Sequence, residues 1–489
     1  MKKITTLFLF LACALIVSAQ SYTTPNNGGN YDLNDILNLS PSTLSYNGTE
    51  YTLTEDLIIA STDTFTISTP ETLNIAADIL ITIEGTFTCD AGNDQIVIKA
   101  VDNNAPYEGF RFEQNADILI NNTSITYGGG LRVLTPNFIL TESFFSYNVS
   151  GVATGAVVSL SYGSPLIENN NFIFNDLPAI SSGANQTVSA TIKGNYLEGN
   201  NQSNQNRPQI NMGATGLDTL RITNNTILGD ASLDQVGGIA VANLLGGELR
   251  AILDDNTITD NRYGITIAGG NSFAYIRNNI IENNNTQNIP FSGGSGISLN
   301  SSAETQTVVA RNNEIRNNLW GITLIGEASI DLGTLNDPGN NIFSENGNNG
   351  VVYALYNNTD NTIQAVYNCW EEDITLSDAN AVEPYIFHQT DDPSLGEVIF
   401  TPFNCADFSA SSNETLQINV YPNPSFGNFS IENTQNFQQL TIYNLNGKKI
   451  KTFSLTNNIN EINTDLSSGL YLLEFKNSKK KAFTKLIIQ

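Results

Sequence analysis

Histidine is nearly absent from this sequence, since His388 is the only one among 489 residues. A histidine-centred catalytic triad and a histidine-rich zinc site are therefore excluded in practice. Because a histidine without partners rarely performs chemistry, we expect His388 to be a structural residue on the surface or in a loop.

Positive charge is also scarce, with 21 Lys and Arg against 48 Asp and Glu and a formal net charge of -27. Residues 1–19 carry +2 and residues 413–489 carry 8 basic minus 5 acidic groups, or +3, so residues 20–412 carry -32. Such a field repels phosphate backbones and excludes nucleic acid as an expected partner. It also disfavours polyanionic glycans unless calcium or a local cluster of arginines intervenes.

Long hydrophobic runs are missing after the start of the chain. The one long hydrophobic run at the start follows two lysines, extends from Leu7 to Val17 and ends at small residues. This is the order of regions in a secretory signal. We expect residues 1–19 to be a signal peptide that is cleaved after Ala19. No later run approaches the roughly 20 apolar residues of a transmembrane helix, so no membrane anchor is expected.

Cysteine is limited to four residues, and Cys13 leaves with the signal peptide. An exported chain can form disulfide bonds. Cys369 and Cys405 flank the last part of the acidic region, and we predict a bridge between them. Cys89 is then an unpaired thiol, which we expect to be a buried small apolar side chain rather than a nucleophile.

What is abundant is an internal repeat in which an asparagine stands between two apolar residues. Its spacings from Asn195 onward are 30, 31, 23, 34, 28 and 27 residues. A constant local motif with irregular spacing indicates coils of one solenoid that carry loops of different length. Stacked about 4.8 Å apart, these asparagines can hydrogen-bond amide to amide in a ladder. The predicted ladder contains Asn195, Asn225, Asn256, Asn279, Asn313 and Asn368, with looser copies at Asn341 and at Asn170 or Asn171.

Between these markers, apolar and polar residues alternate with the period of a strand that has one buried face, and no helical period is sustained. Gly-Ile or Gly-Val pairs mark the expected start of the next long strand at residues 238, 264, 296, 321 and 350. About 27 residues per coil predict on the order of a dozen coils from Thr52 to Asn404, in a rod roughly 60 Å long. Trp320, Tyr353 and Tyr356 are expected in its core, and the alternative is that they are exposed and stack on sugar rings.

These segments resemble the right-handed parallel β-helix proteins of the pectin-lyase-like fold. Leu53 to Ile67 and Ile81 to Phe87 are similar to the first coils of such proteins. Ala365-Val366-Tyr367-Asn368-Cys369-Trp370 is similar to the terminal coil, although Glu371 occupies the place of the usual glycine. The resemblance implies an all-β solenoid with an N-terminal cap over residues 20–408, which we expect to be monomeric.

The composition changes after residues 409–415, a polar stretch typical of a linker. Ile418 to Pro424, Leu440 to Lys448 and Ser468 to Leu473, followed by a basic end, resemble the type A sorting domain of type IX secretion. Asn446-Gly447 is independently a hairpin turn signal. The resemblance implies that residues 416–489 form a small β-sandwich recognised by the type IX machinery of a Gram-negative bacterium, with release or attachment at the cell surface.

The candidate site residues depend on this fold. Pectin hydrolases of the family use three aspartates with Gly-His-Gly and Arg-Ile-Lys segments, and this sequence has neither segment. Lyases of the family need calcium held by carboxylates and an arginine or lysine as base. If the coils stack in register, the position two before each marker forms an outward column of Lys193, Thr223, Asp254, Arg277 and Arg311.

Two interpretations of this column remain open. It is either a solvated salt-bridge ladder, or a shallow groove for an acidic sugar chain, with Asp254, Arg277 and Arg311 as catalytic candidates. Lys193, Asp260 and Arg262 would extend binding. We therefore expect an exported β-helix protein that contacts polysaccharide. The alternatives are a calcium-dependent lyase or a hydrolase acting on an acidic glycan, and a non-catalytic adhesin or structural surface protein.

Overall fold

The computed structural model describes residues 21–289, 294–348, 350–372, 376–405, 418–432, 437–444, 449–455, 460–477 and 481–488. The chain divides into two compact units, Met1–Ala406 and Asp407–Gln489. The predicted signal peptide, the linker at residues 409–415 and the turn at Asn446-Gly447 lie outside the described residues and stay predictions. Within the described part, no helix is both long and apolar enough to traverse a bilayer.

The first unit consists of short strands in which buried and partly exposed residues alternate. In Thr64–Ile67 and Thr86–Cys89 the threonines face outward while Phe65, Ile67, Phe87 and Cys89 are buried. Each strand pairs in parallel with the strand one coil later, so that Phe65 is in register with Phe87. An apolar side chain at every second position of a strand is therefore enough to extend a continuous core from coil to coil.

Three sheets run along the unit, and the chain visits them in the order I, II, III in each coil. Sheet I contains Ser21–Thr23, Asp56–Ile59, Leu80–Ile83, Gly109–Phe112, Leu131–Val133, Val158–Gly163, Ile180–Val188, Ile210–Met212, Ile239–Ala242, Ile265–Ala268, Ser295–Ser301, Trp320–Gly326, Leu355–Asn358 and Ile386–Phe387. Sheet II contains Asn30–Tyr31, Thr64–Ile67, Thr86–Cys89, Asp117–Asn121, Asn137–Thr141, Leu166–Glu168, Thr191–Lys193, Leu220–Thr223, Leu249–Asp254, Ser272–Arg277, Thr307–Arg311, Ile330–Asp331, Ile363–Gln364 and Val398–Ile399. Sheet III contains Leu44–Tyr46, Tyr51–Leu53, Thr72–Ile75, Ile96–Ala100, Thr123–Thr126, Phe144–Ser146, Asn171–Ile173, Tyr196–Glu198, Thr226–Leu228, Thr257–Thr259, Ile280–Glu282, Glu314–Arg316 and Ile342–Ser344.

This architecture is the parallel β-helix that the sequence predicts. The remaining elements of the unit are a first helix, Leu33–Leu39, a short helix, Ala379–Val382, and a 3₁₀ turn, Glu383–Tyr385. The strand pair Leu44–Tyr46 and Tyr51–Leu53 is antiparallel.

Two details of the coil prediction are wrong. The coils begin at Ser21–Thr23 rather than near Thr52, because the first strands are too short for an alternation to be visible in the sequence. Val351 does not begin a long strand. It belongs to a small antiparallel hairpin, Gly347–Asn348 with Val351–Val352, and the sheet I strand of that coil is Leu355–Asn358.

Two ladders of buried amides follow the turns. At the turn from sheet II to sheet III, the Asn256 side chain donates to the Asn279 Oδ1 atom at 3.0 Å and to the Ile222 carbonyl at 2.8 Å. Its own Oδ1 accepts from the amide of Asn225 at 3.0 Å. The ladder continues in the same way through Asn170, Asn195, Asn225, Asn256, Asn279, Asn313, Asn341 and Asn368.

The second ladder, five residues after the first, is one that our sequence analysis missed. It follows sheet III and contains Asn148, Asn175, Asn200, Asn261, Asn284, Asn318 and Asn346. In the coil where Asp230 replaces the expected asparagine, Gln209 fills the gap. Its side chain accepts from Asn200 at 2.9 Å and donates to Asn261 at 3.1 Å. The signal was present in the sequence as a second asparagine at a constant offset.

Near the start of the rod, the buried carboxylate of Asp63 organises the first coil. It accepts hydrogen bonds from the backbone amides of Asn26, Asn27, Gly28 and Gly29 at 2.8 to 3.2 Å. Burial alone would raise the pKa of Asp63, but the hydrogen bonds from Thr24 and from these amides outweigh it and lower the pKa.

Near the other end, a disulfide bond joins Cys369 and Cys405, whose Cα atoms are 4.5 Å apart. Cys89 is fully buried, and its sulfur lies 3.3 Å from the Thr123 hydroxyl. Burial raises the pKa of the Cys89 thiol to about 12, so this sulfur stays protonated and is a packing residue.

The second unit is built from two small antiparallel sheets. One contains Asn419–Tyr421, Asn428–Glu432 and Asn460–Asn463, and the other contains Lys449–Ser454, Gln439–Asn444, Gly469–Lys476 and Lys481–Ile488 in that order. Phe429, Ile431 and Ile462 of the first sheet share a core with residues such as Leu440, Leu473 and Phe475 of the second. This arrangement is the β-sandwich that the sequence predicts.

The first prediction concerns the ladders. Asn256→Ala is expected to lower the free energy of unfolding by about 3 kcal/mol, because it leaves a buried carbonyl and a buried amide without partners. Asn185→Ala, at an exposed position, is the control and should change the free energy by less than about 0.5 kcal/mol. Denaturant unfolding measures both. Equal effects of the two substitutions would contradict the structural role of the ladder.

The second prediction concerns pH. Because the pKa of Asp63 is lowered in the folded state, its stabilising effect is present above its unfolded pKa of about 3.9 and is lost as the pH falls below that value. Asp63→Asn should therefore lower the melting temperature more at pH 7 than at pH 3, where part of the stabilising effect is already lost. Thermal unfolding at both pH values measures this, and an equal difference at both would contradict it.

Candidate functional site

The outward column that the sequence predicts lies on the outer face of sheet II. Lys193 is in register with Thr223, Thr223 with Asp254, Asp254 with Arg277, and Arg277 with Arg311. The register follows from the parallel pairing of strands in successive coils, since neighbouring residues of a column point to the same side.

Asp254 and Arg277 form an ion pair across adjacent coils. The Arg277 guanidinium donates from Nε to Oδ1 at 3.1 Å and from a terminal nitrogen to Oδ2 at 2.5 Å. Hydrogen bonding to Asp254 raises the pKa of Arg277, which makes this arginine a poorer proton acceptor. The next residue, Asp255, has φ +58° at a turn position where neighbouring coils have Asn224 and Asn278 at φ +56° and +55°. The Asp254-Asp255 pair is thus explained by an ion pair and a left-handed turn.

Arg311 is held more firmly and is buried. Its guanidinium donates to the carboxylates of Asp337 at 2.8 Å and Asp331 at 2.9 Å, and to the backbone carbonyls of Asp331 and Ala310. Burial lowers the pKa of Arg311, but the hydrogen bonds to both carboxylates outweigh it and the net shift is upward. Neither arginine is therefore suited to be the base of a lyase reaction.

The three predicted binding residues do not come together. Lys193 lies on sheet II, where its ammonium is 3.1 Å from Glu168. Asp260 lies at the turn after sheet III, with φ +57°, in the left-handed position that precedes the second ladder. The Arg262 side chain is buried and donates to Gln287 at 2.7 Å and to Asn206. Lys193 lies in the column as predicted, whereas the expected extension of the groove by Asp260 and Arg262 is wrong, because both residues lie beyond sheet III.

His388 is structural, as expected, but it is buried rather than on the surface. Its Nδ1 accepts from the Val398 amide at 2.9 Å, and its Nε2 lies 2.9 Å from Glu383. Both ring nitrogens therefore hold the closing segment of the rod in place.

A shallow depression of about 370 Å³ lies beside the column, and its aromatic side chains are the residues that our sequence analysis missed. Phe273 and Tyr275 are 44% and 49% exposed, which is unusual for large side chains at the centre of a rod. The signal was present in the alternation of Ser272–Arg277, where Ala274 and Ile276 occupy the buried positions and turn both rings outward. The depression is lined by Thr219, Arg250, Ala251, Ile252, Phe273 and Tyr275.

Arg277 supports one of these rings. Its guanidinium carbon lies 5.3 Å from the centre of the Tyr275 ring. Phe273, Tyr275 and Arg277 occupy alternate outward positions of one strand, so that Tyr275 lies between the other two. Asp254 holds that guanidinium in place, so the predicted ion pair fixes the orientation of Tyr275.

A second surface lies on the outer face of sheet I. The loops before and after Ile210–Met212 and Ile239–Ala242 border a groove of about 280 Å³, in which Arg207 is the only charged lining residue. The other lining residues are uncharged and include Ser181, Asn211 and Met212. A catalytic cleft with converging aspartate, arginine and lysine is therefore not formed at this groove.

The expectation that the aromatic residues of the last coils lie in the core is wrong for two of them. Tyr353 and Tyr356 are only partly buried, whereas Trp320 is 7% exposed. The Tyr356 ring stacks between Trp320 at 4.5 Å and Phe387 at 4.4 Å, centre to centre. Tyr356 belongs to an outward column that includes Thr323 and Phe387, so register again turns these rings away from the core.

Metal binding finds no ready site in the part of the chain that is described. No group of three or more His, Cys, Asp or Glu side chains there is arranged to hold a metal ion. On the sheet II face, the carboxylates of Glu168 and Asp254 pair with Lys193 and Arg277.

Two family models match parts of the chain. Residues 419–489 match the secretion system C-terminal sorting domain, and residues 248–375 match a protein family of unknown function, DUF1565. The C-terminal unit is therefore a sorting domain, which marks the protein for secretion or display at the cell surface. The second match covers the coils that contain Phe273, Tyr275 and the Asp254–Arg277 pair.

No curated protein matches the chain. Among solved structures, the crystal structure of the Dettilon tailspike protein is similar at 13% identity and a TM-score of 0.33. The match covers 93% of this chain and 78% of the tailspike. At that score it supports no argument about function.

The third prediction separates the two arginines of the column. Arg311→Ala should lower the free energy of unfolding by about 2 kcal/mol, because it removes a buried guanidinium with its hydrogen bonds to two backbone carbonyls and two solvent-accessible carboxylates. Arg277→Ala should cost about 1 kcal/mol or less, since this pair is partly exposed and screened by solvent. Urea unfolding of both variants measures the difference. Similar losses would contradict the assignment of Arg311 as the buried anchor.

Proposed function

We propose that this protein is an exported, non-catalytic β-helix that binds polysaccharide through the outer face of sheet II. The observation that carries the proposal is the pair of exposed rings, Phe273 and Tyr275, beside a depression with an apolar floor at Ala251 and Ile252. Aromatic side chains with a few polar neighbours are the usual means by which shallow protein surfaces hold ligands.

The polar groups around the rings are suited to contact hydroxyl groups. Arg250 and Thr219 line the depression together with the rings, and Arg277 stands behind Tyr275. Guanidinium groups and hydroxyls supply directional hydrogen bonds at the edge of an apolar surface. Such a surface accepts a sugar ring, which presents hydrogen atoms on carbon from its faces and hydroxyl groups from its edge.

Export supports a role outside the cell. The sorting domain at residues 419–489 agrees with a signal peptide at residues 1–19 and with passage through the type IX machinery of a Gram-negative bacterium. The final form is then either released or attached to the cell surface. A disulfide between Cys369 and Cys405 is compatible with an oxidising environment.

Binding without catalysis agrees with the chemistry of the face. The arginines of the column are held by carboxylates that raise the pKa of both, so neither can take a proton from a sugar. A rod that presents the face in this way acts as an adhesin or as a structural component that holds a glycan.

The fourth prediction tests this function. The full chain should be retained on at least one polysaccharide of a broad panel, and Phe273→Ala and Tyr275→Ala should each weaken retention about tenfold or more, since aromatic anchors dominate such surfaces. Tyr162→Ala is the matched control, because Tyr162 is also 44% exposed but lies at the end of a sheet I strand.

Product analysis in the same samples separates binding from catalysis. We expect no new reducing ends and no unsaturated products, with or without calcium. Product formation would replace the binding function with an enzymatic one. Retention that survives both ring substitutions would remove the sheet II face from the proposal.

A further inference from the structure

We infer that the ligand of the sheet II face is a neutral polysaccharide rather than a polyanion. This inference rests on the proposed function and names the substrate class of the same site. It follows from the way in which the charges of the face are arranged.

Three cations of the sheet II face are already paired with carboxylates of the chain itself. Arg250 is bound by Glu248 at 2.5 Å, Arg277 by Asp254 at 2.5 Å, and Lys193 by Glu168 at 3.1 Å. A guanidinium paired with a carboxylate keeps N–H donors for neutral hydroxyl groups, but the pair has no net charge to attract the carboxylate or sulfate group of a ligand. The face therefore displays arginine without displaying net positive charge.

Arg221 is the exception among the cations of this face. It is exposed, stands in register between Thr191 and Ile252, and has no ion pair with any described residue. One such cation is opposed by the -32 charge of residues 20–412. At moderate ionic strength, the electrostatic repulsion between these negative charges and a polyanion exceeds the attraction that one arginine supplies.

Apolar residues recur along the rod in the outward column of Tyr275, interrupted by Thr191 and Arg221. Ile252, Tyr275 and Val309 are in register on successive coils, and Leu119, Ile139 and Leu166 occupy the same column earlier in the chain. Ile139 is 43% exposed. The corresponding outward column of sheet I is instead polar over most of its length, with residues such as Ser159, Asn211 and Thr266.

The rings and the column together fit an uncharged chain that offers apolar ring faces. Phe273 and Tyr275 are two residues apart on one strand, about 7 Å, so that both can contact one chain at once. Tyr275 lines the depression, and the guanidinium carbon of Arg277 lies 5.3 Å from the centre of its ring. Contacts of this kind gain from the removal of apolar surface from water, and they depend little on salt.

The experiment compares neutral and anionic polymers on the full chain. Affinity electrophoresis and pull-down use a β-glucan, a mannan and a xylan against polygalacturonate, alginate and chondroitin sulfate, each at 50 and 500 mM sodium chloride. We expect retention on a neutral polymer that changes less than twofold with salt and weakens about tenfold in Phe273→Ala and Tyr275→Ala. Arg221→Ala should leave it within twofold.

The other outcomes separate this inference from the proposed function. Retention on polyanions alone, reduced by salt and lost in Arg221→Ala, would overturn the neutral class and leave polysaccharide binding intact. No retention on any polymer would overturn both. Self-association of the chain that disappears in the ring variants, measured by analytical ultracentrifugation, would mean that the face joins two copies and would also overturn both.

Discussion

Backbone pairing between successive coils is the interaction on which every other feature of this rod depends. Parallel strands one coil apart share the same register in all three sheets, and the coils therefore stack at the spacing of β-strands. The buried polar groups at each turn must then find hydrogen-bond partners in the coils directly above and below. The two amide ladders do so, and the side chain of Gln209 bridges the second ladder where an asparagine is missing. Because every ladder member is buried, the loss of one leaves hydrogen-bonding groups without partners rather than exposed to water.

The same register orders the outer faces. A column of outward residues is a column of close neighbours, so Asp254 meets Arg277 although 23 residues separate them in the chain. The ion pair then fixes the orientation of the Tyr275 ring, which stands beside Phe273 at the depression. A pair that resembles a catalytic dyad in the sequence thus becomes a support for an aromatic surface. The upward pKa shifts of Arg277 and Arg311 are a consequence of this packing, since each arginine binds a carboxylate before any substrate arrives.

Much of the fold could be predicted, because a solenoid repeats its information. The marker asparagines, the alternation of strands such as Thr64–Ile67 and the change of composition before residue 416 each indicate an element by a local pattern. The errors occur where the repeat is weak. The strand Ser21–Thr23 is too short to show a period, and Val351 follows a glycine as real strand starts do but belongs to a two-residue hairpin. His388 was expected on the surface or in a loop, and its burial was missed because the pairing of its ring with Glu383 and Val398 cannot be inferred from spacing.

The sequence by itself determined the class of the fold, the register of the ladder, the column of Lys193, Asp254, Arg277 and Arg311, and the export address at the C-terminus. All of these depend on residues that are close in sequence or repeat at a readable offset. The tertiary structure alone decided which members of the column are buried, that Arg262 belongs to another corner, and that Phe273 and Tyr275 frame a depression. The physical reason is that burial and charge compensation depend on loops from different coils, whose lengths vary and whose contacts no local pattern encodes.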